Sequence, residues 1–216
     1  MKYDLINNGK QPNEPINAAL GFWLPPDSPY GNFQLKFMKI IQRLDEANRR
    51  IIDSHEFWHS CNTQGFIPVG AFERHVFANE QAIYMMRRAA DELVSLIWCL
   101  SKYEEYSEYP DKIKVDCLGA VLSQNEQDRN SIYAPHLNLM QQLNHIANAF
   151  KHSFINSDHT LMGMQEPRIH ALALNYNKLK SIPTFYDVSL SELINIYNLF
   201  YKDCVSWLSK YSERNR

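Results

Sequence analysis

The 216-residue chain has no apolar run approaching the roughly 18 residues of a membrane-spanning helix, so no membrane span is expected. Its first residues, MKYDLINNGKQPNEP, lack the apolar core of a secretory signal, so export by that route is not expected either. Cysteine is scarce. Cys61, Cys99, Cys117 and Cys204 stand far apart without a CxxC pair, which predicts buried, reduced thiols and a cytoplasmic protein rather than a disulfide framework. A dominant charge is missing as well. The formal net charge is −2, so no global basic field exists to collect nucleic acid or an anionic membrane, and any basic patch has to be built by the fold. Internal repeats and low-complexity tracts are absent.

What is present suits a packed core. Hydrophobic residues make up 45% of the chain and charged residues 21%, an ordinary balance for one domain with appendages. The 12 Tyr, 11 Phe and 4 Trp allow packing on large rings. Residues 1–32 carry Pro12, Pro15, Pro25, Pro26 and Pro29, which excludes a long helix and predicts an extended arm. Leu20, Phe22, Trp23 and Leu24 are too apolar for a free tail, so the arm is expected in a groove of the core or on a second subunit.

Residues 33–216 read as a single helical-bundle domain. Phe33, Phe37, Ile40, Leu44, Ala47, Ile51 and Trp58 recur at three or four residues and predict a first helix ending near Asn62. A second begins between Phe72 and Asn79 and continues to about Tyr106, with Ala82, Met86, Ala89, Ala90, Leu93, Val94, Leu96, Ile97 and Leu100 inward. Arg87–Asp91 and Arg88–Glu92 are (i, i+4) pairs on its polar side. Pro110 stops it, and a shorter helix over Lys112–Ser123 follows. Leu161–Met164 and Ile169–Leu174 flank a Pro-containing turn and predict a small β-hairpin near 159–174. Ser189 and Glu192 then form a capping box for a last helix to about Tyr211. The predicted class is mainly α: a four-to-five-helix bundle with a small hairpin and an extended Pro-rich N-terminal arm.

The helix from His136 to Phe154 has two unlike faces. Met140, Leu143, Ile146, Ala147, Phe150 and Phe154 form an apolar stripe, while Gln141, His145, Asn148 and His152 share an arc of about 60° on the other side. The arc is polar yet nearly uncharged. It reads either as a hydrogen-bond lock or dimer rim, or as a binding site made of Gln141, His145 and an arginine, Arg87 or Arg88, reaching across from the second helix. A metal held by His145 and His152 requires His159 or His170 in addition.

His55-Glu56-Phe57-Trp58-His59 spells HExxH and resembles the zinc-peptidase string of thermolysin-like enzymes. Two histidines one turn apart present imidazoles to one ion, and the glutamate accepts a proton from metal-bound water. The resemblance implies a metal-dependent hydrolase with His55, His59 and Glu80 as ligands of zinc, or of iron in another kind of bundle site. The setting differs from that family, because the string follows a Pro-rich arm and a long amphipathic helix rather than a β-sheet.

Ala147-Asn148-Ala-Phe-Lys-His152 resembles the end of the third helix in the HEPN superfamily (higher eukaryotes and prokaryotes nucleotide-binding domains). Members that cleave RNA carry Arg-Asn-x-x-x-His there, on a bundle that dimerises across the motif. The resemblance implies a homodimer acting on RNA or a nucleotide without a cofactor, with Asn148 and His152 as motif residues and Ala147 in place of the arginine. Lys151, or Arg87 or Arg88 reaching towards His152 from the second helix, could supply the missing charge. Tyr103, Tyr106 and Tyr109 could stack on bases, but Glu104, Glu105 and Glu108 oppose phosphate there. Three functions follow: a HEPN-like nucleic-acid-related or accessory protein, a metal-dependent hydrolase, or a non-catalytic module that binds a protein partner.

Overall fold

A computed structural model describes residues 3–9, 21–63, 70–152, 166–174 and 182–215. These described residues form five α-helices and a two-stranded antiparallel sheet, so the chain is mainly α with a small hairpin, as its periodicity predicts. Helix α1 spans Phe33–Thr63 and α2 spans Ala71–Tyr106. They pack antiparallel, since Arg43 meets Glu92 while Ser54 meets Asn79. All the stripe residues predicted for these two helices are buried, each large one contributing about 1.5–3 kcal/mol by leaving water. The Arg87–Asp91 and Arg88–Glu92 pairs both form, at 3.1 Å. Helix α2 ends before Pro110 is reached: Ser107 turns left-handed at φ 58° and gives its N–H to the Tyr103 carbonyl.

Helix α3, Leu118–Ser123, is shorter than the predicted Lys112–Ser123. Its start is set from outside. The Leu118 N–H donates to Asp91 Oδ1 of α2 at 2.8 Å, and Cys117 is extended, so a tertiary carboxylate serves as the cap. A 3-10 helix, Ser131–His136, leads into α4, Leu137–His152. On α4, Met140, Leu143, Ile146 and Ala147 are buried and Phe150 is half-buried; Phe154 lies outside the described residues.

A two-stranded hairpin forms, and the second of its strands is one the periodicity did not predict. β1, Arg168–Ala173, pairs with β2, Thr184–Ser189, from Arg168↔Ser189 to Ala173↔Thr184. The predicted strand over 161–164 lies outside the described residues. Phe185, Tyr186 and Val188 favour a strand, and Pro183 sits just ahead of it, where no ladder N–H is required. Ser189 ends β2 and caps α5, Leu190–Arg214: its hydroxyl accepts the Glu192 N–H at 3.2 Å and donates to Glu166 at 2.5 Å. Leu193, Tyr197, Phe200, Cys204 and Leu208 of α5 are buried, and Trp207 is half-buried. The Tyr197 hydroxyl donates to the Met86 carbonyl at 3.0 Å, tying α5 to the middle of α2.

The described parts of the N-terminal arm lie in a groove of the core. Ile6, Phe22 and Leu24 are buried, and Trp23 remains exposed. Two asparagines hold residues 5–7 as neighbouring strands would. Asn48 of α1 accepts the Ile6 N–H at 2.7 Å and donates to the Ile6 carbonyl at 2.9 Å. Asn198 of α5 likewise donates to the Leu5 carbonyl and accepts the Asn7 N–H. Asn48→Ala is therefore expected to cost about 1–2 kcal/mol, and hydrogen exchange should show it first as lost protection of the Ile6 amide.

The four cysteines are free, with Cys61, Cys99 and Cys204 buried. Burial raises all four thiols, that of Cys99 to about 11. They are thus protonated and poor nucleophiles at neutral pH.

Candidate functional site

The polar arc of α4 divides into residues that lock the helix and residues that face out. His145 is half-buried, with Nδ1 2.7 Å from the Tyr186 hydroxyl of β2. Gln141, Asn148, Lys151 and His152 are exposed. Asn144 lies beside the predicted arc and is its connection to α2. Its Oδ1 accepts from Arg87 Nη2 at 2.9 Å and from Asn148 Nδ2 at 3.4 Å. Arg87 also pairs with Asp91 through Nη1. Since Asp91 holds the Leu118 amide with its other oxygen, one polar chain runs from α3 through Asp91, Arg87 and Asn144 to Asn148. Burial raises the Asp91 carboxyl, opposed by the Leu118 N–H and by Arg87 and Arg88. Arg88 turns outward to Glu92.

The resemblance to the HEPN pattern expects an arginine at position 147. Position 147 faces the core, with Ala147 only 3% exposed, so a guanidinium there would have to displace packed side chains. Arg87 does bring a guanidinium to α4, one turn before Asn148, but Asp91 compensates its charge. Lys151 is exposed in the last turn, where a cation is favoured by the helix dipole.

The HExxH residues and Glu80 form no metal-holding group among the described residues. His55 stacks on Tyr3, ring centroids 4.5 Å apart, and its buried Nε2 has no hydrogen-bond partner among the described residues. Glu56 and His59 are exposed. Glu80 accepts from the Tyr84 hydroxyl at 3.1 Å. Among the described residues, no three or more His, Cys, Asp or Glu are placed to hold a metal ion. That statement covers His145, His152 and His170 too; His159 lies outside the described residues. His170 packs instead on Phe185, with Nε2 3.1 Å from Asp187, its partner across the hairpin. Tyr103 and Tyr109 stack on each other at 4.5 Å, and Phe33 meets the Tyr109 ring edge-on.

One constellation was invisible in the sequence. Ser54 of α1 and His75 and Asn79 of α2 are all buried. The proton arrangement that satisfies every donor is a closed cycle. Ser54 Oγ donates to Asn79 Oδ1 at 2.7 Å; Asn79 Nδ2 donates to His75 Nε2 and to the Arg168 carbonyl, each at 3.3 Å; His75 Nδ1 donates to Ser54, shared between its carbonyl at 3.2 Å and its hydroxyl oxygen at 3.1 Å. The Trp58 ring packs at 5.0 Å from the imidazole. A serine beside a histidine suggests a nucleophile, but here the hydroxyl proton is committed to an amide in a closed site. The cycle fixes the register of α1, α2 and β1. The only sequence hint was the (i, i+4) spacing of His75 and Asn79 ahead of the apolar stripe of α2.

Comparison with protein-family models, with curated proteins and with solved structures finds no match to this chain.

Proposed function

We propose that the chain is a HEPN-like helical protein with a nucleic-acid-related accessory role, binding RNA on the outer face of α4 without cleaving it. The observation that carries this reading is the approach of Arg87 to the motif helix, where it donates to Asn144 beside Asn148. Gln141, Asn148, Lys151 and His152 then offer donors, acceptors and a cation on one accessible face. The accessory character follows from charge. Phosphoryl transfer without a metal requires an uncompensated cation on the phosphate beside the proton-moving histidine. Ala147 supplies none, Arg87 is held by Asp91, and exposed Lys151 offers a single ammonium in place of the paired donors of a guanidinium. The reading also makes the protein a homodimer across α4. Free, buried thiols support a cytoplasmic setting, and no described helix is long and apolar enough to cross a membrane.

Fluorescence anisotropy with a labelled single-stranded RNA tests it. Wild-type protein is expected to bind saturably and leave the RNA intact. His152→Ala is expected to weaken binding about tenfold or more, as loss of a charge-assisted or stacking contact would, with an unchanged circular dichroism spectrum. Absence of RNA binding by the wild type would sink the reading, and cleavage by the pure protein would overturn its accessory half.

A further inference from the structure

Beyond the α4 face, a cleft of 860 Å³ opens between α1, α2 and residues 113–117. In a chain of net charge −2, its lining is conspicuously cationic: Lys36, Lys39, Arg43, Arg87 and Arg88 all contribute. We propose that this cleft binds a small nucleotide-type ligand, an aromatic or other apolar group carrying two or more phosphates.

Three carboxylates, Asp91, Glu92 and Asp116, compensate the five cations only in part. Arg43 and Arg88 share a single carboxylate, Glu92, at 2.8 and 3.1 Å, so the trio remains positive. Arg87 is neutralised by Asp91. Lys36 and Lys39 are exposed, and neither forms an ion pair among the described residues. Asp116 offsets only part of this surplus. Lys36, Lys39 and Arg43 recur every three or four residues and so share one face of α1, which lets several cations meet one polyanion. Guanidinium and ammonium groups together suit phosphate oxygens, the first as paired donors and the second as point charges.

The remaining lining favours a ligand with an apolar part. Tyr30, Phe33, Leu96 and Ile113 contribute to the same cleft. The Tyr30 hydroxyl donates to the Pro110 carbonyl, which anchors that ring at the cleft edge. The volume matches sites for single small molecules, roughly 300–1,000 Å³. Inorganic phosphate alone would leave the apolar wall unused, and an uncharged aromatic would leave the cations unused.

Isothermal titration of the full chain with adenosine triphosphate, inorganic triphosphate and adenosine distinguishes these cases. Adenosine triphosphate is expected to bind saturably, inorganic triphosphate more weakly, and adenosine not at all up to about 1 mM, the range of weak specific binding. Lys36→Glu/Lys39→Glu is expected to weaken adenosine triphosphate binding about tenfold or more through reversal of two charges. Both lysines are exposed, so the fold should survive. Lys202→Glu/Lys210→Glu, an equal charge change on exposed positions of α5, is expected to leave it unchanged. Absence of adenosine triphosphate binding, equal binding of inorganic triphosphate, or equal loss in both double variants would overturn the proposal. The α4 reading fails separately: His152→Ala should leave adenosine triphosphate binding intact, and the Lys36/Lys39 variant should retain RNA binding.

Discussion

Acidification from pH 7 to pH 5 is expected to cost the fold roughly 2 kcal/mol through His75 alone. Burial depresses the imidazole to about 4; its hydrogen bond to the Ser54 carbonyl opposes the shift, and nearby His55 and His170 reinforce it. A folded-state value below that of the unfolded chain means that the unfolded state binds the proton first. The contribution is therefore complete above about pH 6.5 and is lost as the pH falls towards 4, where it amounts to roughly 3 kcal/mol. Protonation also breaks the hydrogen-bond cycle, because His75 Nε2 accepts from Asn79. Urea unfolding at several pH values measures the effect. His75→Gln should be less stable at pH 7 but should lack this share of the acid sensitivity. A wild-type curve flat between pH 7 and 5, or an equally steep one in His75→Gln, would refute the assignment. At neutral pH, Asn79→Ala is expected to cost about 2–3 kcal/mol, since it removes the acceptor of the buried Ser54 hydroxyl and the donor to buried His75 Nε2.

Asp91→Ala is expected to be the more damaging substitution, at roughly 3–5 kcal/mol. The carboxylate is nearly buried, caps α3 through the Leu118 amide and pairs with Arg87. Removing it leaves a guanidinium in a poorly solvated seam, where Arg87 Nε already has no hydrogen-bond partner among the described residues, and an uncapped helix start. The surface pair Arg88–Glu92 has the same spacing on the same helix, but Arg88 is 64% exposed, so breaking it should cost only a few tenths of a kcal/mol. Thermal or urea unfolding gives the cost. A double-mutant cycle with Arg87→Met apportions it: the double variant should lose less than the two single losses combined, because the stranded charge is gone. Strict additivity would mean that Arg87 and Asp91 do not act as a unit. Faster exchange of the Leu118 amide in Asp91→Ala would report the lost cap independently.

Sequence legibility tracked the range of the forces involved. The long helices were readable because a stripe repeating at 3.6 residues has one way to leave water, and Phe33 to Trp58 and Ala82 to Leu100 repeat it many times. The Ser189 cap was readable because donor and acceptor lie three residues apart. The start of α3 was not, because its cap comes from Asp91, 27 residues away. The strand over Thr184–Ser189 was missed for a related reason: six residues are too few for periodicity to decide, and what makes them a strand is the ladder with β1.

The candidate sites divide in the same way. The sequence could assign Asn148, Lys151 and His152 to one side of a helix, and it could count cations, because both follow from residue order and helical geometry. On its own it determined the class of fold, the buried stripes and the chemically unusual face of α4. Only the tertiary structure decided which polar groups meet. It set Arg87 on Asn144, closed Ser54, His75 and Asn79 into a buried cycle, gathered no metal-holding group of His, Cys, Asp or Glu among the described residues, and turned three cations of α1 towards two of α2. Those outcomes depend on how helices are registered against one another. Register is set by packing and desolvation summed over the whole core, which no local stretch of sequence contains.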